Sequence, residues 1–168
     1  MKNIRILFPV IILCKVLIAV INTYEDSYSI THNINTSFES IIMSEIDIVA
    51  LINEDDKNEG VGIPMRFAHA FDVNFGMNNA GTWEELEDGG MLWRLGIHSS
   101  SAYGMKVFFD TFILPEGAEL YVFSKDEDMS IGPYTYKQNH EDGTFEHPLV
   151  KSDYIVVEYY QPKNTQGT

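Results

Sequence analysis

The sequence contains little cysteine and little positive charge. Cys14 is the only cysteine among 168 residues, so we expect a domain without disulfides, stabilised by packing alone. Lys and Arg number 11 against 25 Asp and Glu, and the net charge is -14. Nucleic acid binding requires clustered basic residues, and the composition argues against that function. Acidity of this kind suits solubility, or docking on a basic partner.

The sequence also lacks the motifs of a serine hydrolase. Neither a Gly-Asp-Ser-Gly-Gly run nor a Gly-x-Ser-x-Gly elbow occurs in it. Ser99, Ser100 and Ser101 follow His98, but neighbouring residues on a strand point to opposite faces, and the serine cluster is typical of a turn. We therefore expect no catalytic residue and no enzymatic activity in this chain.

A long, uninterrupted apolar run is missing as well. Residues 6–21 are mostly apolar but include Pro9 and Lys15, and they follow Lys2 and Arg5. This pattern predicts a secretory signal peptide in residues 1–24 and a secreted, periplasmic or cell-envelope location.

Two alternatives to the signal peptide stay open. An uncleaved membrane anchor is the first, because no small-x-small cleavage site stands out after Ala19. Lipidation at Cys14 is the second, although the large Leu13 stands where a lipoprotein cleavage box has a small residue. In each case any membrane contact is made only through this N-terminal segment.

The rest of the composition is that of a globular domain, with 45% hydrophobic and 12% aromatic residues. We divide it into a lead-in segment at 25–60, a β domain at 61–162, and the start of a linker or tail at 163–168. Within the lead-in, the apolar spacing of residues 38–46 predicts a helix, residues 48–52 a buried strand, and the acidic stretch 54–60 a loop.

Short apolar runs with a two-residue period dominate the β domain, and turn residues separate them. The run at 103–112 is apolar on both faces in its second half and is predicted to be central, whereas Pro133 predicts an edge strand. His69 lies on the apolar side of the first run, where we expect a core or edge residue rather than a metal ligand. The predicted strands are 65–75, 82–87, 91–98, 103–112, 119–124, 131–136 and 154–161, with 145–150 leading into the last. The fold class that this pattern predicts is an all-β, antiparallel β-sandwich or jelly roll.

Residues from about 82 to 162 resemble a known non-catalytic region. The pattern consists of core and turn positions in a fixed order: Trp93, Leu95, Phe109, Phe112, Pro115, Gly117, Leu120, Tyr121, Gly132, Pro133, Val157, Tyr159 and Pro162. It resembles the region that precedes the trypsin-like protease domain in secreted bacterial lysyl endopeptidases and related exported proteases. The resemblance implies a pro-segment, whose partner is a protease domain in cis or in trans and whose role is to aid folding or to cover the cleft. In that family, catalytic activity belongs to the downstream domain.

Two kinds of ligand site are further possibilities. Asp126 and Asp128 in an acidic turn are candidate calcium ligands, and His140 and His147, with Glu141 and Asp142, are candidate zinc ligands. In both cases a solvated turn is the simpler interpretation, and we expect no cofactor.

Carbohydrate is the alternative partner, because exposed aromatic rings stack on sugars. The rings available for this are Trp83, Tyr134, Tyr136, Tyr159 and Tyr160. Filling of the core is the competing use of the same rings. A row of exposed rings in a shallow groove would favour a stand-alone carbohydrate-binding or adhesive module, and an acidic face without such a row would favour a protein partner.

Overall fold

The computed structural model describes residues 25–64 and 66–165. The predictions of a signal peptide, a membrane anchor and lipidation at Cys14 lie outside these residues. Two helices, eight strands and one 3-10 turn occur in the described ranges: α1 (Tyr28–Thr31), β1 (Ser40–Ile42), α2 (Ile48–Asn58), β2 (Thr82–Glu85), β3 (Met91–His98), β4 (Phe108–Phe109), β5 (Glu119–Ser124), β6 (Ser130–Tyr134), the 3-10 turn (Tyr136–Gln138), β7 (Phe145–Glu146) and β8 (Tyr154–Gln161). Neither helix of the described part is long and apolar enough to cross a membrane.

The protein is mainly β, and six of its strands form one mixed sheet. Its strand order is β1-β3-β8-β5-β6, with β2 also paired to β3, and β4 and β7 form a separate two-stranded sheet. The large sheet is antiparallel except for β1, which runs parallel to β3. The described strands do not close into a barrel.

The three inner strands β3, β8 and β5 are apolar on both faces because both faces are covered. One face carries the main core, in which Trp93, Leu95, Leu120 and Val157 are buried. Residues of the connections complete this core from the other side: Ala80, Phe112, Leu114, Ala118 and Val150. The two-stranded sheet packs against the same core through Phe109 and Phe145.

Residues 25–42, which we call the N-terminal segment, cover the second face of the sheet. Its Ile30 and Phe38 pack on a smaller cluster formed by Tyr121, Phe123 and Val156. At the end of this segment, β1 joins the edge of the sheet by pairing with β3 at residues 96–98. Residues 25–42 of the predicted lead-in are therefore an integral part of the fold.

The inner strands and the β6 edge confirm their sequence predictions. β3, β5 and β8 have the predicted bounds, and β6 with its Pro133 lies at the sheet edge. The prediction of a central strand at 103–112 is wrong. Only Phe108 and Phe109 form a strand there, in the small sheet, together with an isolated bridge from Met105 to Val150.

In the lead-in, the predicted helix and strand are exchanged. Residues 40–42 form β1, whereas residues 48–58 form α2, which includes most of the predicted acidic loop. The side chain of Asp47 caps α2 by accepting a hydrogen bond from the Ala50 N–H at 2.9 Å. Short apolar runs fit helix and strand equally well, and here the cap at Asp47 favours a helix.

The predicted strand at 65–75 is also wrong for the residues described, because none of residues 66–75 lies in a strand. Phe67 is 99% exposed, and His69 is exposed rather than a core or edge residue. Phe75 is followed by a turn in which the Asn79 Oδ1 accepts from the Gly76 N–H.

Candidate functional site

A groove lies where the N-terminal segment meets the ends of β5 and β8, and its volume is about 520 Å³. The N-terminal segment, which includes α1, contributes one wall, and β5 and β8 contribute the other. The groove is lined by Glu25, Asp26, Tyr28, Thr31, His32, Glu119, Tyr121 and Tyr160.

Sheet register places the strand residues of this groove. Glu119 of β5 lies opposite Tyr160 of β8, and Tyr121 lies opposite Glu158. Glu119 and Tyr121 are two residues apart and therefore point to the same face of the sheet. The N-terminal segment is held beside them by the Ser130 hydroxyl, which donates to the Glu25 carbonyl at 2.9 Å.

Three aromatic rings form a continuous stack in the groove wall. The Tyr28 ring lies between His32, at a centroid distance of 3.9 Å, and Tyr160, at 3.7 Å. The His32 Nδ1 lies 2.9 Å from the Tyr28 carbonyl, which fixes the ring at the end of α1. The stack joins α1 to the sheet, and both faces of the Tyr28 ring are covered by its neighbours.

Two tyrosine hydroxyls of the groove, those of Tyr121 and Tyr160, have a raised pKa. The Tyr121 hydroxyl donates to Glu119 Oε2 at 2.9 Å. Burial, together with this hydrogen bond, raises the pKa of Tyr121 above its ordinary value, and burial likewise raises the pKa of Tyr160. These two phenols offer hydrogen bonds rather than charge.

The groove is acidic throughout. Glu25, Asp26 and Glu119 contribute three carboxylates, whereas no Lys or Arg is among its lining residues. A concave surface lined by charge of one sign concentrates ligands of the opposite sign. The arrangement therefore favours a cationic group, such as a Lys or Arg side chain of another protein.

A row of polar residues lies under the N-terminal segment beside the groove. Arg94 of β3, Glu158 of β8 and Tyr121 of β5 are neighbours in register, and all three are buried. Glu158 Oε1 accepts from the Ser29 N–H at 3.1 Å, and Oε2 has no hydrogen-bond partner among the described residues. Burial raises the pKa of the Glu158 carboxyl above its ordinary value.

Arg94 fastens the N-terminal segment to the sheet. Its guanidinium donates to the Ile34 carbonyl at 3.3 Å, to the Thr36 hydroxyl, and to Glu84 Oε2 at 2.8 Å. The same group lies 4.8 Å from the centre of the Phe38 ring. One side chain thus binds three parts of the N-terminal segment and strand β2.

The structure does not assemble the candidate metal ligands into one site. Asp126 and Asp128 lie in an exposed turn after β5, and His140 is exposed in a separate turn. His147 is buried, and both of its ring nitrogens are engaged: Nε2 accepts from the Val107 N–H and Nδ1 contacts the Pro148 carbonyl. Among the residues described, no group of three His, Cys, Asp or Glu is arranged to hold a metal ion.

The residues of the family pattern are core and turn residues. Trp93, Leu95, Phe112, Leu120, Val157 and Tyr159 are buried in the main core, with Phe109 partly buried against it, whereas Tyr121 is buried on the second face. Gly117 has φ +90 in the turn that Pro115 begins, and Gly132 and Pro133 lie in the edge strand β6. Pro162 follows the end of β8.

The aromatic residues considered for carbohydrate do not form a row of exposed rings. Tyr159 is buried in the core, and Tyr160 is stacked on Tyr28. Tyr134 packs edge-on against Phe145 at 4.6 Å. Only Trp83 and Tyr136 of this set are 40% exposed or more.

The serine cluster next to His98 is a turn, as expected. Residues 99–101 follow the end of β3, Ser99 is buried, and Ser101 adopts a positive φ of 63. The His98 Nε2 lies 3.7 Å from Asp153 Oδ2.

Sequence reasoning does not find most of the groove. Glu25, Asp26, Tyr28 and His32 occur in a stretch without a readable pattern, and the sequence places Glu119 only in a strand. One signal is present, because Glu158 stands in a run that is otherwise apolar on both faces. A carboxyl in such a strand is expected to be buried and to need a partner from outside the sheet.

No family model matches this chain, and no solved structure matches it.

Proposed function

We propose that this protein is a secreted, non-catalytic binding domain with a two-layer, sandwich-like β fold, whose partner is a trypsin-like protease domain of the lysyl endopeptidase type. The domain binds the protease domain in cis or in trans, and either assists its folding or covers its cleft. The resemblance of residues 82–162 to the pro-regions of such proteases supports this choice of partner.

The observation that carries the proposal is the acidic groove. Glu25, Asp26 and Glu119 line it together with three tyrosines and without a Lys or Arg. Complementary charge steers association and fixes orientation, so a basic patch on the protease domain is the surface that this groove fits. The partner side chains expected to enter the groove are Lys or Arg.

The disposition of the aromatic rings favours protein over carbohydrate. A sugar-binding platform presents the face of a ring to solvent, whereas Tyr28 has both faces covered by His32 and Tyr160. The groove therefore offers carboxylates and hydroxyls rather than an aromatic platform.

A binding titration tests the proposal. The probe is the catalytic domain of a bacterial lysyl endopeptidase, purified without its own pro-region and with its nucleophilic Ser replaced by Ala. We expect binding that weakens as NaCl is raised from about 50 to 300 mM, because surface charge pairs are screened over about a Debye length. The combined variant Glu25→Gln, Asp26→Asn, Glu119→Gln is expected to bind about tenfold more weakly, a loss of about 1.4 kcal/mol.

The matched control removes acids outside the groove. Asp56→Asn, Glu59→Gln, Glu141→Gln makes the same change in net charge at exposed positions. This control is expected to leave the affinity within about twofold of the parent, since a rim charge away from the contact contributes little. Equal losses of affinity in both triple variants would show that net charge alone weakens binding, which would contradict binding through the groove. The absence of binding by the parent chain would contradict the whole proposal.

A further inference from the structure

The sequence of residues 66–75 alternates like that of a strand, but these residues pair with no other strand among the described residues. Phe67, His69, Phe71, Val73 and Phe75 alternate with smaller or polar residues. In the folded chain Phe67 is 99% exposed and Val73 is 51% exposed. The alternation is that of a strand with one apolar face, and of the residues on that face only Phe71 is partly buried.

The main chain of this segment is unpaired as well. Residues 66–73 form no hydrogen bond between main-chain groups with any other described residue. A partner strand would pair with these main-chain groups and would place its own apolar side chains beside those of the segment.

The residues of the segment are complementary to a second copy of themselves. In an antiparallel pair centred on His69, Arg66 of each copy faces Asp72 of the other. The same register places Phe67 opposite Phe71 and Ala68 opposite Ala70. Opposite charges and paired aromatic residues directly across a ladder each contribute about 0.2–1 kcal/mol, and two-fold symmetry makes every such pair occur twice.

The two neighbouring registers that keep the apolar residues on one face do not place Arg66 opposite Asp72. Centring the pair on Ala70 places Arg66 opposite Asn74 and Asp72 opposite Ala68, and centring it on Ala68 places Arg66 opposite Ala70. Only the register centred on His69 pairs the two charges. The guanidinium of Arg66 already lies 2.7 Å from Glu54 Oε2 and 3.5 Å from Asp55 Oδ1, and with five N–H donors it has capacity for a further carboxylate.

We propose that two copies of this chain associate through residues 66–72, which form an antiparallel two-stranded ladder centred on His69, with Arg66 of each copy paired to Asp72 of the other. The inference is independent of the proposed protease partner, because no residue of the groove takes part.

Sedimentation equilibrium of the full chain with exchanged charges tests the register. The parent chain is expected to dimerise, and Arg66→Asp or Asp72→Arg alone is expected to weaken the dimer about tenfold, because each change places two like-charge pairs across the ladder. An equimolar mixture of the two variants restores both ion pairs in a heterodimer. The double variant Arg66→Asp, Asp72→Arg restores them in a homodimer.

Three results would overturn the proposal: a monomeric parent chain at about 100 µM, a range in which weak specific dimers are populated; single variants that dimerise as well as the parent; or a mixture no stronger than either single variant. Association through another surface is insensitive to these exchanges and would appear as the second of these results.

Cross-linking gives an independent measure of the same register. In a Cys14→Ser background, His69→Cys places a thiol directly opposite its copy, and mild oxidation is expected to give a covalent dimer. Ala68→Cys is the control, since residue 68 lies diagonal to its copy, where the Cβ atoms are about 7–8 Å apart and too far for a disulfide. Cross-linking of Ala68→Cys as fast as His69→Cys would contradict the proposed pairing.

Discussion

Glu158 is the residue whose environment differs most from what its chemistry prefers. It is fully buried beneath the N-terminal segment, with one oxygen bonded to the Ser29 N–H and the other unpartnered among the described residues. Burial raises its pKa from the ordinary value of 4.5. The folded protein thus holds this proton at pH values where the unfolded chain has released it.

We therefore expect Glu158 to lower the stability as the pH rises. Above about pH 4.5 the unfolded chain binds fewer protons than the folded one, and the free energy of unfolding falls until the raised pKa is passed. Glu158→Gln removes this dependence, so its stability relative to the parent should increase as the pH rises above about 4.5. Urea unfolding at several pH values measures the difference, and a difference that stays constant as the pH rises would contradict a raised pKa at Glu158.

Trp93 tests the assignment of the main core. Its side chain is 4% exposed, and its Nε1 donates to the Ala80 carbonyl at 2.9 Å. Trp93→Ala should lower the free energy of unfolding by about 3–5 kcal/mol. Trp83→Ala is the control, because Trp83 is 40% exposed, and its loss should be clearly smaller. Equal losses of stability in the two variants, measured by thermal or urea unfolding, would contradict the assignment of Trp93 to the buried face of β3.

Gly81 is required both by its backbone conformation and by Trp93. Its φ is +80, and a Cβ placed on it would lie 2.5 Å from the Trp93 indole. Gly81→Ala should cost about 2–5 kcal/mol, the sum of left-handed strain and overpacking. Gly60→Ala isolates the strain, because Gly60 has φ +79 and a Cβ added there would meet no atom within 4 Å, and this change should cost about 1–2 kcal/mol. Urea unfolding of both variants measures the two costs, and equal losses would contradict the close packing of Gly81 on Trp93.

At the scale of the element, the attachment of the N-terminal segment to the sheet depends on Arg94. Without the guanidinium, the Ile34 carbonyl, Thr36 and Glu84 lose their shared partner. Arg94→Leu should therefore speed amide hydrogen exchange in residues 27–42 by about tenfold or more, which corresponds to about 1.4 kcal/mol. The central strands β5 and β8 should be much less affected. Uniform acceleration across the chain would show that Arg94 stabilises the whole sheet instead.

How far the sequence predicts an element depends on what specifies that element. β3, β5 and β8 are long apolar runs between turn residues, and these local signals are sufficient. The run at 103–112 alternates equally well, but its pairing with residues 145–150 is a long-range choice that alternation does not encode. For residues 66–75 the pattern specifies an apolar face and leaves the partner unspecified.

The candidate groove lies beyond sequence reasoning for a similar reason. Its walls come from residues 25–32 and from the ends of β5 and β8, which are adjacent only after the N-terminal segment has folded across the sheet. No spacing in the sequence connects Glu25 or Asp26 with Glu119. By contrast, the core positions of the family pattern are predictable, because Trp93, Leu95 and Val157 alternate within single strands.

At the scale of the whole molecule, a mixed sheet is covered on both faces, and an acidic groove opens where one cover ends. Such a molecule is suited to present a preformed surface, because the groove walls are held by the aromatic stack on one side and by strand pairing on the other. The charge of that groove is complementary to a basic surface, which is what we propose the protease domain to present.

Hydrogen-exchange mass spectrometry of the chain, with and without the inactive protease domain, tests this account most directly. We expect slower exchange on complex formation in residues 25–32 and 119–121, which form the groove. Protection confined to other surfaces, or no protection under conditions where the two proteins form a complex, would contradict it.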